Sequence, residues 1–357
     1  MDELQYVLSF YRHPTTMAIP STSSRIYVLS NITSLTSQLS ALMPHLKFVE
    51  IPYTIDETRS TTEQTVSTEQ MKYLQEAEIL IADPLLLGGY VQEMPNLKWM
   101  QSTWAGVDSI FRRIDKNKAL PSFPLTRLAG AFGPAMAEFT LAHILAHERR
   151  IVDVHEDKKR REWLGRTRAD YRILSTLSIG ILGLGDIGAE VAKYCKYFGM
   201  TVWGLVRRDV AKEQQSKYVD HYRLNSQMSE VLKSCDYICS LLPSTTDTRD
   251  MLSGDLLSAC KEKKPVFINV GRGDVIDEAS IINAIRSGWI SKAVLDVHKI
   301  EPLPQDSLLW DEPNVFISPH ASVCSPPEMI FGVFKENMEH YSKGEPLKYS
   351  VNWETGY

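Results

Sequence analysis

The chain has 357 residues, 43% hydrophobic and 23% charged, with a formal net charge of −5, room for two domains of ordinary globular composition, each with its own core. The acidic balance excludes a general attraction to nucleic acid or to an anionic membrane, no apolar run approaches membrane-spanning length, and MDELQYVLSFYRHP lacks the basic start and apolar core of a secretory signal. The five cysteines, Cys195, Cys235, Cys239, Cys260 and Cys324, have neither a CxxC pair nor zinc-ligand spacing, so no metal and a reducing, cytoplasmic location are expected.

Tyr6 to Phe10 fits a strand or a helix turn, and Ser21 to Ser24 a loop. From Arg25 a βα rhythm starts: strand Ile26–Leu29, helix Leu35–Leu42, strand Phe48–Ile51, a threonine-rich loop Ile55–Val66, helix Met71–Ala77, then strands Ile79–Ala82, Leu97–Gln101 and Leu125–Leu128. Such alternation implies a parallel sheet with helices on its faces. Gly130 to Pro134 reads as a hinge or crossover. Helix Ala135–Ala146 is apolar almost all round and is expected to be buried on more than one side. The charged stretch Ile151–Ile173, with Trp163 inside it, reads as an arm reaching over a neighbour.

A second βα series follows. Leu177–Leu182 is a short apolar run with β-branched residues, Ala189–Phe198 has apolar residues at helical spacing, and Thr201–Val206 is again strand-like. Between the first two lies Gly183-Leu184-Gly185-Asp186-Ile187-Gly188. A GxGxxG that follows a strand, opens a helix and reaches a second strand is a dinucleotide-binding pattern. Gly183 permits the tight turn, Gly185 lets backbone approach a pyrophosphate, and Gly188 lets the helix pack closely on the strand. The helix N-terminus, with Asp186 and Ile187, offers N–H groups to the phosphates. Where an NAD site wants an acid at the end of the second strand, this chain has Val206 followed by Arg207 and Arg208. Two guanidinium groups suit a 2′-phosphate, so NADP(H) is expected, with NAD(H) as the alternative if Asp209 serves the ribose.

Further on, Val231–Cys235 ends a helix and Asp236–Leu242 is a strand. Pro265–Val270 is a buried strand ending in GRGDVID, Glu278–Ser287 a helix, and Ser291–Val297 a strand before HKIEPLP. Val315–Ile317 leads into SPHASVCSP, Pro327–Tyr341 is helical, and the tail is expected to be irregular. Functional-looking stretches thus sit just beyond three strands, where ligands of open α/β sheets bind.

These pieces together resemble the D-isomer-specific 2-hydroxyacid dehydrogenases, closest to the glyoxylate/hydroxypyruvate reductase branch. The likeness rests on STWAGVDSI, AMAEFTLAHIL, the GLGDIG turn, LLPSTTDTRDML, INVGRGDVID, AVLDVHKIEPLP and FISPHAS, from about residue 95 to about residue 345. The resemblance implies that His320 is the catalytic histidine, Glu301 the acid paired with it, and Arg272 the substrate-binding arginine. It places Asp296 near the nicotinamide carboxamide and Leu242, Pro243, Thr248, Val270 and Gly271 at the cofactor. The N–H groups of Ala105 and Gly106 would hold the substrate carboxylate, with Trp104 as a pocket wall. His298 and Pro326 depart from the pattern, which has an aromatic apolar residue and an arginine at those places.

The chemistry agrees with these roles. Reduction of a 2-oxo acid needs a hydride and a proton, and imidazole gives a proton near neutral pH. A neighbouring carboxylate raises its pKa and fixes its tautomer, and a guanidinium stabilises charge developing on the carbonyl oxygen. The expected architecture is α/β: two doubly wound parallel-sheet domains with a cleft between them. A Rossmann-type dinucleotide domain (133–322) is inserted into a flavodoxin-like substrate domain (1–132 and 323–357). The expected activity is NADPH-dependent reduction of glyoxylate, hydroxypyruvate or pyruvate to the D-2-hydroxy acid. The expected partners are that small substrate and a second copy, a homodimer formed through Ala135–Ala146 and the following arm, with no nucleic acid and no membrane. The rival readings are a dinucleotide-sensing protein resembling the C-terminal-binding-protein corepressors, and an oxidative dehydrogenase of a larger D-hydroxy acid.

Overall fold

The computed structural model describes residues 25–53 and 65–356; the readings for 1–24 and most of the Ile55–Val66 loop lie outside them. The chain divides into two units, Met1–Ala129 with Ser325–Tyr357, and Gly130–Cys324.

In the first unit, strands β1 (Arg25–Leu29), β2 (Lys47–Glu50), β3 (Ile79–Ala82), β4 (Trp99–Ser102) and β5 (Leu125–Thr126) alternate with helices α1 (Leu35–Leu42), α2 (Thr68–Glu76), α3 (Pro84–Leu87) and α4 (Asp108–Arg113). These strands are parallel, in the order β2-β1-β3-β4-β5, so the winding reverses between β1 and β3. β3 is buried at every residue, as a parallel strand covered on both faces must be. The start of α2 is fixed by a capping box, Ser67 and Gln70 each accepting the other's backbone N–H. The short helices α3 and α4 were not expected. Asp83-Pro84 is an N-cap and N1 pair that marks the start of α3.

The second unit runs through α5 (Gly133–Glu148), α6 (Ile151–Arg160), α7 (Gly165–Arg168), β6 (Ser178–Leu182), α8 (Asp186–Tyr197), β7 (Thr201–Val206), β8 (His221–Leu224), α9 (Met228–Ser234), β9 (Tyr237–Ser240), β10 (Val266–Asn269), α10 (Glu278–Arg286), β11 (Lys292–Leu295) and β12 (Val315–Ile317). All seven strands are parallel, ordered β8-β7-β6-β9-β10-β11-β12. This is the dinucleotide-fold order with one strand added at the edge, and its switch point lies between β6 and β9. The charged arm is helical over α6 and α7. Residues of α5 at helical spacing (Met136, Ala137, Thr140, Leu141, Ile144, Glu148) are fully buried, whereas Glu138 and Ala142 are exposed. Within one chain α5 packs on α8 and, through Glu148 to Tyr237 and His143 to Phe316, on the sheet as well.

Glu148, at the end of α5, is buried and accepts from Tyr237 Oη at 2.5 Å and from Arg172 Nη2 at 2.5 Å. Arg172 also reaches Asp236 Oδ1 at 3.3 Å, and Asp236 Oδ2 accepts the Ser178 N–H at 2.9 Å. This network sits at the N-terminal edge of the second sheet and anchors the end of the arm there, leaving the opposite edge to the ligand-facing loops.

The chain then returns to the first unit as α11 (Pro327–Lys343) and β13 (Ser350–Val351), which pairs antiparallel with β5. The tail is otherwise irregular, as expected; a two-residue strand is too short for alternation to reveal. Trp99, with no exposed surface, holds this return. It stacks on Phe334 at 5.1 Å and Tyr341 at 5.4 Å, and its indole N–H donates to Thr126 Oγ1 at 2.8 Å. Trp99→Ala is expected to cost about 3–5 kcal/mol, read as a lower denaturant midpoint for the first unit; an unchanged midpoint would show that α11 is held by other contacts.

Candidate active site

The glycine turn follows β6 directly. Gly183 has φ of +100°, and a Cβ there would lie 3.0 Å from the Leu241 carbonyl oxygen, so only glycine fits. A Cβ on Gly188 would come within 2.3 Å of the Gly183 oxygen, which explains how closely α8 joins the strand. A Cβ on Gly185 would meet nothing within 4 Å. Gly185 and Asp186 are exposed and Ile187 is half-buried. The first N–H groups of a helix have no partner within it, so the turn opens beside a helix N-terminus, the shape a pyrophosphate requires. Arg207 and Arg208 are exposed immediately beyond β7.

Across the switch point, Leu242 is buried and Pro243 half-buried after β9. Thr248 is buried and closes its own loop: its hydroxyl donates to the Pro243 carbonyl at 2.5 Å and accepts the Thr245 N–H at 2.9 Å. Val270 and Gly271 are buried beyond β10, and a Cβ on Gly271 would lie 2.8 Å from Leu241 and Leu242 backbone atoms. Gly271 thus packs directly on the Leu241–Leu242 backbone. The donor set and the open turn fit a dinucleotide.

Three side chains far apart in sequence share the C-terminal edge of this sheet. Glu301 Oε2 accepts from His320 Nδ1 at 2.9 Å, while Glu301 Oε1 accepts the His298 N–H at 2.8 Å. Burial alone would push the Glu301 carboxyl up, but the hydrogen bond and charge of His320 and the His298 N–H together carry it below the ordinary carboxylate range. The hydrogen bond to Glu301 raises the His320 pKa, against burial and against the positive charge of Arg272 nearby. Arg272 follows β10; its Nη1 donates to the Gly271 carbonyl at 2.7 Å, and its own carbonyl accepts from Asn269 Nδ2 at 3.0 Å. With Nδ1 committed to Glu301, His320 presents Nε2 as its second proton-bearing atom.

Asp296 organises the loop that carries His320. It is wholly buried, and its Oδ1 accepts from Ser318 Oγ at 2.6 Å, the Ala321 N–H at 2.8 Å and the Ser322 N–H at 3.2 Å. Its carbonyl accepts the His320 N–H at 2.9 Å. His320 has φ of 54°, a left-handed conformation rare for non-glycine residues, and this clamp on both sides holds it there. His298 stands beside the pair, with Nε2 at 3.4 Å from the Ser318 carbonyl.

In the first unit, Trp104, Ala105 and Gly106 follow β4 and are half-buried. The Trp104 N–H donates to Ser102 Oγ at 3.1 Å and its carbonyl accepts the Leu128 N–H at 3.0 Å. Among the described residues the Ala105 and Gly106 N–H groups have no acceptor. Sequence reading missed Ser318, which donates to Asp296 Oδ1, Asn269, which holds the Arg272 carbonyl, and Asp83, which takes two hydroxyls and one backbone N–H; only Asp83, ahead of a proline, left a local signal.

The model of the D-isomer specific 2-hydroxyacid dehydrogenase, NAD binding domain, matches residues 141–322, half of the chain. Glyoxylate/hydroxypyruvate reductase A of Klebsiella pneumoniae is 31% identical over 267 residues, 73% of this chain and 82% of that protein. Glyoxylate/hydroxypyruvate reductase B of Serratia proteamaculans is 34% identical over 263 residues, 71% and 76% of the two. Among solved structures, the D-isomer specific 2-hydroxyacid dehydrogenase from Xanthobacter autotrophicus Py2 in complex with NADPH and MES aligns with a TM-score of 0.78 at 29% identity, covering 94% of this chain and 99% of that one. The D-isomer specific 2-hydroxyacid dehydrogenase family protein from Aeromonas salmonicida gives 0.74 at 29% identity, over 92% and 99%.

The Glu301–His320 pair has a pH signature. The Glu301 contribution to stability is present above the ordinary carboxylate pKa of about 4.3 and is lost as pH falls through its depressed value; the His320 contribution is full below about 6.5 and is lost as pH rises through its elevated value. The stability difference between wild type and Glu301→Gln is therefore expected to be greatest between about pH 4.3 and 6.5, as urea titrations at a series of pH values would show. A difference that does not vary with pH would mean the two groups are not coupled.

Proposed function

We propose that this chain, which belongs to the D-isomer specific 2-hydroxyacid dehydrogenase family, reduces a small 2-oxo acid (glyoxylate, hydroxypyruvate or pyruvate) to the D-2-hydroxy acid with NADPH. The observation that carries this reading is the Glu301–His320 hydrogen bond with Arg272 close by, in the unit that also holds the glycine turn. NADPH, when bound, supplies the hydride. His320, charged and held through Nδ1 by Glu301, keeps at Nε2 the proton destined for the carbonyl oxygen. Its side chain is 49% exposed, so solvent can restore that proton. Arg272 binds the substrate carboxylate and stabilises the charge that develops on oxygen. Ala105 and Gly106 offer N–H groups to a carboxylate oxygen, and Trp104 forms a wall of the substrate site. Asp296 is assigned to the nicotinamide end, and Gly130–Cys324 is the dinucleotide domain.

Arg207 and Arg208 are the proposed 2′-phosphate ligands, with the NADPH complex of the Xanthobacter relative in support; NAD(H) is the alternative. A homodimer is proposed because Ile151, Val152, Val154, Trp163 and Ile173 leave the arm's apolar surface open, Trp163 at 97% exposure. A cytoplasmic location agrees with four buried, unpaired cysteines.

Purified protein is expected to oxidise NADPH with glyoxylate or hydroxypyruvate, and His320→Ala to lower kcat by about 10²–10⁴-fold. Comparable turnover by that variant would remove His320 from the proton-donor role. Tight NADPH binding with no turnover across a 2-oxo acid panel would favour the nucleotide-sensing reading. The double change Arg207→Ala, Arg208→Ala is expected to raise the KM for NADPH by about tenfold or more while leaving that for NADH little changed; an unaltered NADPH KM would return the choice to Asp209 and NAD(H).

A further inference from the structure

Asp83 follows β3 in the first unit and is 1% exposed. Its Oδ1 accepts from Ser30 Oγ at 2.7 Å and Thr103 Oγ1 at 2.5 Å, and its Oδ2 accepts the Asn31 N–H at 2.8 Å. Ser30 and Asn31 follow β1, and Thr103 follows β4, the two strands that flank β3. One carboxylate therefore joins three adjacent strand ends at the point where the winding of this sheet reverses. Burial pushes its pKa up, opposed by the hydrogen bonds from Thr103, Asn31 and Ser30.

Helix capping does not account for it. Asp83 stands at the N-cap of α3, yet its side chain makes no capping hydrogen bond; its contacts from Ser30, Asn31 and Thr103 go sideways, to the loops of the neighbouring strands. Burying a carboxylate is costly, and here its hydrogen bonds from Ser30, Asn31 and Thr103 are turned on two loops. As an acceptor-only group it makes both hydroxyls donate inward. Thr103 is thereby pinned twice, through its hydroxyl and through its N–H to the Ala82 carbonyl at 3.1 Å. The next residue, Trp104, is pinned by Ser102 and Leu128, and the two unpaired N–H groups of Ala105 and Gly106 come immediately after.

We propose that Asp83 is the positioning residue for the 2-oxo acid's carboxylate: through Thr103 it sets the direction of the Ala105 and Gly106 N–H groups. This rests on the assignment of that loop to the substrate carboxylate. Asp83 does not touch the substrate, and its effect falls on substrate affinity, not on the cofactor or the proton donor.

The test compares wild type with Thr103→Val, Asp83→Asn and Asp83→Ala in steady-state kinetics, and by calorimetric titration of the NADPH-loaded enzyme with oxamate, a non-reducible 2-oxo acid analogue. Displacing the loop is expected to raise the substrate KM by about tenfold or more, in the order Asp83→Ala above Asp83→Asn, with the NADPH KM and kcat held within about twofold. Thr103→Val keeps the buried charge and carries the test if the Asp83 variants fail to fold. Folded variants with unchanged substrate KM and oxamate affinity, or with substrate and NADPH KM rising together, would overturn the proposal. Wild type that binds oxamate without turning over any 2-oxo acid would sink the reductase reading alone, and the variants' oxamate affinities would still decide the role of Asp83. Wild type that binds no oxamate would overturn the loop assignment and the role of Asp83 with it.

Discussion

The candidate site depends on one buried carboxylate. Asp296 takes hydrogen bonds from the side chain of Ser318 and the backbone of Ala321 and Ser322, and its carbonyl takes the His320 N–H. A left-handed histidine in mid-loop is unfavourable by itself. It persists because the atoms before and after it are held by the same residue. The imidazole then meets Glu301, whose other oxygen is fixed by the His298 backbone. The clamp sets the orientation in which His320 meets Glu301, and the hydrogen bond to that carboxylate raises the histidine's pKa.

Sheet topology supplies the rest of the placement. In a parallel sheet every strand ends on the same edge, so Leu182, Ser240, Asn269, Leu295 and Ile317 deliver their loops to one side. That is how Gly183, Arg272, Asp296 and His320 come to one edge although their strands are separated by helices. The Glu148–Arg172–Tyr237 network takes the other edge. Chemistry and anchoring thus occupy opposite ends of the same strands, and substitution at one end need not disturb the other.

Much of this was legible in the sequence. Apolar runs gave the buried parallel strands, and the glycine spacing gave the turn after β6, because its close contacts are backbone contacts that only glycine tolerates. The pairing of Glu301 with His320 followed from motif and chemistry together. What stayed hidden has a common physical origin. β13 is set by a neighbour, not by its own pattern. β8, with every residue half-buried, lacks the alternation that marks a strand. Asp83 and Ser318 work through hydrogen bonds to loops distant in sequence, and no periodicity announces such a bond.

The return of the chain at Ser325 bears on how the protein is made. The second unit, Gly130–Cys324, is one uninterrupted stretch, so all of it precedes α11 and β13 in the order of synthesis. Every residue of its core is present before they are made, while Trp99 still waits for Phe334 and Tyr341 and β5 is still an unpaired edge. Domains fold as units during synthesis, and open edges invite aggregation. The inserted unit thus has every residue of its core in hand earlier than the unit around it, which needs α11 and β13 to close.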